Sequence, residues 1–182
     1  MKHCFLLVFL LAVMQLPAQK LDMTVDSIIK TDYAKNGRIK DSGTVIKGIH
    51  IGIRKVYDEK GRLWSVINYD DYKLPRTIRT KTYFFKGSAR INEGIYIQTS
   101  ANYRIKHGVW KWYWKNGSIM DSVIFKNDHE LFRARFSKSR KLQFTEKYQE
   151  NAKNGDPITI TGYNNNGSIK YNRIELKGEK GY

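Results

Sequence analysis

Apolar and polar positions alternate along most of this chain. The stretches "GTVIKGIHIGI" and "SVIFK" change character from residue to residue, the period of a half-buried β-strand. Beyond residue 18 no 3.6-residue apolar rhythm is sustained, so strands rather than helices are expected. A recurrent step punctuates the alternation: an aromatic, three residues, then glycine. It occurs at Tyr33–Gly37, Tyr57–Gly61, Tyr83–Gly87, Tyr113–Gly117 and Tyr163–Gly167. A degenerate copy starts at Phe136, with Arg140 in place of the glycine. Successive aromatics lie 24, 26, 30, 23 and 27 residues apart. Ile39, Leu63, Ile119, Leu142 and Ile169 fall two places beyond the glycine or its stand-in. The copy at Tyr83 departs, its Ile91 displaced by two.

A glycine after a short polar run signals a hairpin. Asn36-Gly37, Asn116-Gly117 and Asn166-Gly167 predict two-residue type I′ turns, with Lys60-Gly61 a weaker version. Each unit then reads strand, turn, strand. The longest loop is expected at 68–77, where Pro75 cannot donate to a ladder; 147–156 is the least β-like part. The predicted fold is all-β, an elongated antiparallel sheet of successive β-hairpin repeats. Six degenerate units occupy residues 33–176, after a lead-in at 19–32 and before a tail at 177–182.

The richest unit, "GVWKWYWKNGSI" (108–119), holds Trp110, Trp112 and Trp114. With a two-residue turn, these oppose Val123, Asp121 and Ile119, and all six share one face. Such a ladder has two uses. Exposed, it stacks sugar rings or nucleobases; covered by a neighbouring hairpin or a second copy, it is core, because a bare patch of that size is seldom tolerated. The unit at Tyr57 has Arg54, Val56 and Asp58 at the same places, so the stripe belongs to one repeat.

These units resemble the MORN-type repeat family, and in particular its bacterial variant-repeat subgroup with an antitoxin-like label. Gly108, Trp110, Tyr113, Asn116, Gly117 and Ile119 follow the family pattern residue by residue. The unit at Tyr57 keeps Gly52, Tyr57, Gly61 and Leu63 but has Arg54 for the tryptophan; the last unit keeps Tyr163, Asn166, Gly167 and Ile169. The resemblance implies antiparallel hairpins in a twisted sheet and implies no catalytic residues.

Charge narrows the partners. The chain carries 33 Lys and Arg against 17 Asp and Glu, net +16, which favours contact with something anionic. Basic residues cluster at 76–90 and 132–144. In the second cluster, alternation puts Arg133 and Arg135 on one face, and Phe132 and Phe136 on the other; Arg140 follows. Trp110, Trp112, Trp114, Arg133, Arg135 and Arg140 are therefore the candidate ligand-binding residues. The alternative use of the basic residues is a solvated face that discourages strand addition.

Residues 1–18 read as a signal peptide: a basic start, the apolar run "CFLLVFLLAVM", and Ala18 before the cleavage point. The expected location is periplasmic or extracellular, which excludes intracellular nucleic acid as a partner. The lone Cys4 lies in that leader, leaving no disulfide and no thiol. His50, His107 and His129 lack metal-ligand spacing, and no nucleophile elbow or phosphate loop is present. The expectation is a non-enzymatic protein without cofactor or metal, acting as a protein- or surface-interaction scaffold. The alternative is a binding module for anionic polysaccharide or lipid. Its partner, a protein or an anionic envelope polymer, and its oligomeric state are not legible in the sequence.

Overall fold

The computed structural model describes residues 27–83, 90–150, 152, 153 and 155–178. Within them lie twelve strands and no helix: β1 (Ser27–Tyr33), β2 (Ile39–Ile46), β3 (Ile49–Tyr57), β4 (Leu63–Tyr69), β5 (Arg76–Tyr83), β6 (Arg90–Ser100), β7 (Tyr103–Tyr113), β8 (Ile119–Lys126), β9 (His129–Phe136), β10 (Leu142–Lys147), β11 (Pro157–Tyr163) and β12 (Ile169–Leu176). They form one open antiparallel sheet whose order follows the chain from β1 to β12. At about 4.8 Å per strand it runs about 50 Å across. This is the all-β sheet of successive hairpins that the alternation predicts. Among the described residues pairing begins at Ser27, inside the segment 19–32. The leader at 1–18, the turn of the Tyr83 copy (84–89) and residues 179–182 lie outside the described residues.

The repeated turns do sit at the glycines, but their type differs from the expectation. In each, the first residue's N–H donates to the carbonyl four residues on, and the fourth residue's N–H returns to the first carbonyl. The pairs are Ala34/Arg38, Asp58/Arg62, Trp114/Ser118, Ser137/Lys141 and Asn164/Ser168, at 2.8–2.9 Å. Positive φ falls only on the fourth residue: Gly37, Gly61, Gly117, Arg140 and Gly167. These are three-residue loops, a type I turn followed by a left-handed residue in a bulge, not two-residue type I′ turns. Asparagine serves the type I turn differently. Its Oδ1 accepts from the N–H two residues on, at 3.1 Å, in Arg38, Ser118 and Ser168, so it gains a local bond without positive φ. The consequence for register is direct: Tyr113, not Trp114, pairs with Ile119. Trp114 belongs to the loop.

True two-residue turns occupy the opposite end of the sheet. Lys47-Gly48 and Asn127-Asp128 have positive φ at both positions, as type I′ requires. Neither was legible as a turn. Successive turns at the glycine end also hold one another. Asn36 Nδ2 donates to Glu59 O at 2.9 Å, and Asn116 Nδ2 to Lys138 O at 3.2 Å.

Arg140 adopts the left-handed conformation with φ 66°, which costs a side-chain-bearing residue about 1–2 kcal/mol. The Arg140→Gly variant is therefore expected to be more stable by about 1 kcal/mol, after glycine's extra unfolded-state freedom is subtracted. A higher urea midpoint at unchanged slope checks it; no rise would show that the turn is not strained.

Burial in a single-layer sheet comes from large side chains lying across neighbouring strands. One cluster holds Trp110, Val123 and Phe125, with Tyr96 and Trp112 against it. A second holds Tyr148, Ala152, Ile158 and Ile160, where the segment after β10 packs beside β11. Ile46 and Ile78 are likewise buried.

Candidate functional site

Register places the tryptophans. Trp110 pairs with Val123 and Val123 with Arg133; Trp112 pairs with Asp121 and Asp121 with Arg135. Cross-strand partners share a face, so Trp110, Trp112, Asp121, Val123, Arg133 and Arg135 lie on the same side. Arg133 and Arg135 share a face by strand alternation, as the sequence indicated.

Trp110 is fully absorbed in packing. It is 3% exposed, its indole N–H donates to Ile95 O at 2.9 Å, and Tyr96 meets it edge-on at 4.7 Å. Room for the indole comes from Gly94: a Cβ there would lie 2.1 Å from Trp110 Cδ2. A kink aims the ring. Gly108 takes φ 66°, and Gly52 takes φ 57° at the equivalent place two residues before Arg54. Arg54 in turn lies over Gly43, whose added Cβ would meet the Arg54 backbone at 3.2 Å. The glycine two places before Trp110 or Arg54 and the glycine on the preceding strand thus form one device, used twice.

Trp112 is half-buried, its ring 5.9 Å from that of Trp110 and 6.4 Å from that of Phe125. Trp114 is half-buried in its loop, donating from Nε1 to Phe136 O at 3.1 Å beneath the Lys138 ammonium, 5.5 Å away. It is not part of the Trp110–Trp112 ladder.

The two candidate arginines on the tryptophan face have their charges met within the sheet. Arg135 makes a two-pronged pair with Asp121, both bonds at 2.7 Å; that hydrogen bonding, more than burial opposes it, raises its pKa. Arg133 is drawn down by burial, yet Glu130 at 2.7 Å and Glu146 at 3.4 Å carry it above its usual value. Arg140 is exposed in its turn.

The residues that give this face its free positive charge were missed in the sequence. The Lys106 ammonium stands 5.0 Å above Phe125, 5.6 Å above Trp110 and 6.0 Å above Trp112, within cation–π range. The Arg104 guanidinium lies 4.7 Å above Tyr96. Beside them a shallow groove of about 370 Å³ runs between Trp112, Asn92, Tyr96, Thr80 and Val56. The alternation in "YRIKHGVW" puts Arg104 and Lys106 in phase with Trp110 and could have shown this. Gly94, an isolated strand glycine, is the standard mark of a close approach.

The fold is that of an open hairpin-repeat sheet, and the comparison with protein families agrees. The model of the MORN repeat variant matches residues 51–71 and 106–127. These are the two units that carry Gly52 with Arg54 and Gly108 with Trp110. Repeats of this kind are generally interaction modules. No curated protein matches the chain. Among the described residues no three His, Cys, Asp or Glu side chains gather where they could hold a metal ion.

Proposed function

We propose that this is an exported, non-enzymatic scaffold that binds a protein partner along its sheet edge. The observation that carries the reading is the open sheet itself. Among the described residues β12 is paired on one side only, and every residue of it is exposed. Ile169, Ile174 and Leu176 stand 64%, 73% and 72% exposed there. An unpaired, apolar edge is a template for strand addition. Export rests on the leader-like residues 1–18. Placement in the bacterial subgroup with the antitoxin-like label rests on the unit at 108–119 and forms part of the same proposal.

The immobilised protein is expected to retain one envelope protein at high salt, and the Ile174→Lys variant to lose it. Retention that vanishes with salt, or that Ile174→Lys leaves intact, overturns the edge reading. The alternative, a module for anionic polysaccharide or lipid, is favoured by one feature, the groove beside Trp112 with Arg104 and Lys106 at its rim. Its sign would be a salt-sensitive shift of tryptophan fluorescence with acidic glycans or anionic vesicles.

A further inference from the structure

At the end of the sheet away from the glycine turns lies a second pocket, of about 480 Å³. Tyr69 and Ile78 floor it; the turn before β3, the loop carrying Tyr72 and Leu74, and the turn carrying Asn102 and Tyr103 wall it. Its charged lining is Arg76 and Arg104, with His50 beside them and no carboxylate. Arg76 and Arg104 flank Gln98 in one cross-strand row.

Arg76 is the only buried arginine among the described residues, at 7% exposure. Its Nε donates to Gln98 Oε1 at 2.7 Å, and its Nη1 to the carbonyls of His50 and Asp71 at 2.6 and 3.0 Å. All three acceptors are uncharged, and Nη2 has no hydrogen-bond partner among the described residues. The nearby carboxylates make no bond to it: Asp70 accepts from Thr77 N, and Asp71 from Tyr72 N and Lys73 N. Arg54, Arg133 and Arg135 each meet a carboxylate, whereas Arg76 meets none and lies on the Tyr69 ring at 4.3 Å. No carboxylate touches this buried cation, which is costly; burial lowers its pKa, and the charges of Asp70 and Asp71 oppose that only in part. A guanidinium with a free edge matches an oxyanion of carboxylate or phosphate shape.

We propose that this pocket binds a small ring-bearing oxyanion, a uronic acid or a sugar phosphate. The anionic group meets Arg76 Nη2 and Arg104. The ring lies against Tyr103, which is 59% exposed, with the Asn102 amide for its hydroxyls. The volume suits one or two such rings.

Titration calorimetry of the full chain at low ionic strength tests this, with glucuronate, glucose 6-phosphate and glucose as probes. One or both anions are expected to bind at a single site and glucose not at all; the better anion identifies carboxylate or phosphate as the cognate group. Arg76→Lys is expected to weaken binding about tenfold or more, since a charged hydrogen bond is lost. Should that variant fail to fold, Arg104→Gln and Tyr103→Ala, on exposed side chains, carry the same expectation at a few-fold loss. Ile174→Lys leaves the affinity unchanged, which separates this pocket from the edge proposed for a protein partner. Failure of both anions to bind, equal binding of glucose, or full affinity in Arg104→Gln and Tyr103→Ala overturns the assignment.

Discussion

The Gly94→Ala variant is expected to lose about 3 kcal/mol of stability, a large effect for one methyl group. The added Cβ would lie 2.1 Å from Trp110 Cδ2 and 2.3 Å from Cε2, so the indole must move. It has nowhere to go. Its N–H is tied to Ile95 O, Tyr96 abuts its edge, and Val123 and Phe125 pack in the same cluster. Gly162 offers the matched control. A Cβ there would lie 2.3 Å from Tyr171 Cε1, an equally severe overlap on paper. Tyr171, however, sits on the edge strand β12 at 36% exposure and can swing into solvent. Gly162→Ala is therefore expected to cost under about 1 kcal/mol. The two changes have the same chemistry and the same initial clash, so only the freedom of the opposing ring separates them. Urea denaturation followed by circular dichroism reads both. A double-mutant cycle tightens the case: with Trp110→Ala already made, Gly94→Ala should be neutral or stabilising, because only the lower unfolded-state entropy remains. Equal losses at Gly94 and Gly162, or additivity with Trp110→Ala, would show that the indole does not rest on Gly94.

The same glycines explain what the sequence could disclose. A left-handed backbone position is a local demand, so in the five described turns the beat of aromatic and glycine marked one end of the sheet correctly, including Arg140 as the stand-in. The turn type was not local enough. Asn-Gly suits both a type I′ turn and a type I turn with a left-handed fourth residue, and the choice rests on one further bond, Trp114 N–H to Ser118 O. That single residue moved Trp114 off the ladder. At the other end Lys47-Gly48 and Asn127-Asp128 carry no aromatic marker; the first passed as strand within "GTVIKGIHIGI", and the second was not read as a turn. Trp110 and Trp112 were correctly placed on a common face because alternation survives the error in the loop. Their environment was not legible, since Gly94 and Lys106 reach them through register with other strands. The arginines show the same limit in part. Alternation put Arg133 and Arg135 together, and Glu130, which meets Arg133, lies on the same strand three residues away; Asp121 and Glu146, the other carboxylates that meet them, lie on adjacent strands. Arg76 stood within a recognised basic cluster; nothing in its neighbours announced that it alone would be buried without an acid.

Breaking the Asp121–Arg135 pair is expected to be lopsided. Asp121 is 5% exposed, and both its carboxylate oxygens accept from Arg135, at 2.7 Å each. Arg135 is 37% exposed at its side chain and rests near the Phe144 ring at 5.5 Å, so it can turn to water. Arg135→Met leaves a buried carboxylate with no hydrogen-bond donor, and the expected loss is about 3 kcal/mol. Asp121→Asn leaves a cation that water can reach and an amide that can still accept one bond; the expected loss is about 1 kcal/mol. The charge change argues the other way. On a chain of net +16, removing a positive charge relieves repulsion and removing a negative one adds to it, so a general charge effect would make Asp121→Asn the worse variant. The order of the two urea midpoints therefore decides between a local and a global cause. Joining Arg135→Met to Asp121→Leu removes both charges and fills the site with apolar atoms, and stability should return to within about 1 kcal/mol of the parent. If Asp121→Asn proves as costly as Arg135→Met, or the apolar pair stays as unstable as Arg135→Met alone, desolvation of Asp121 is not what makes this contact matter.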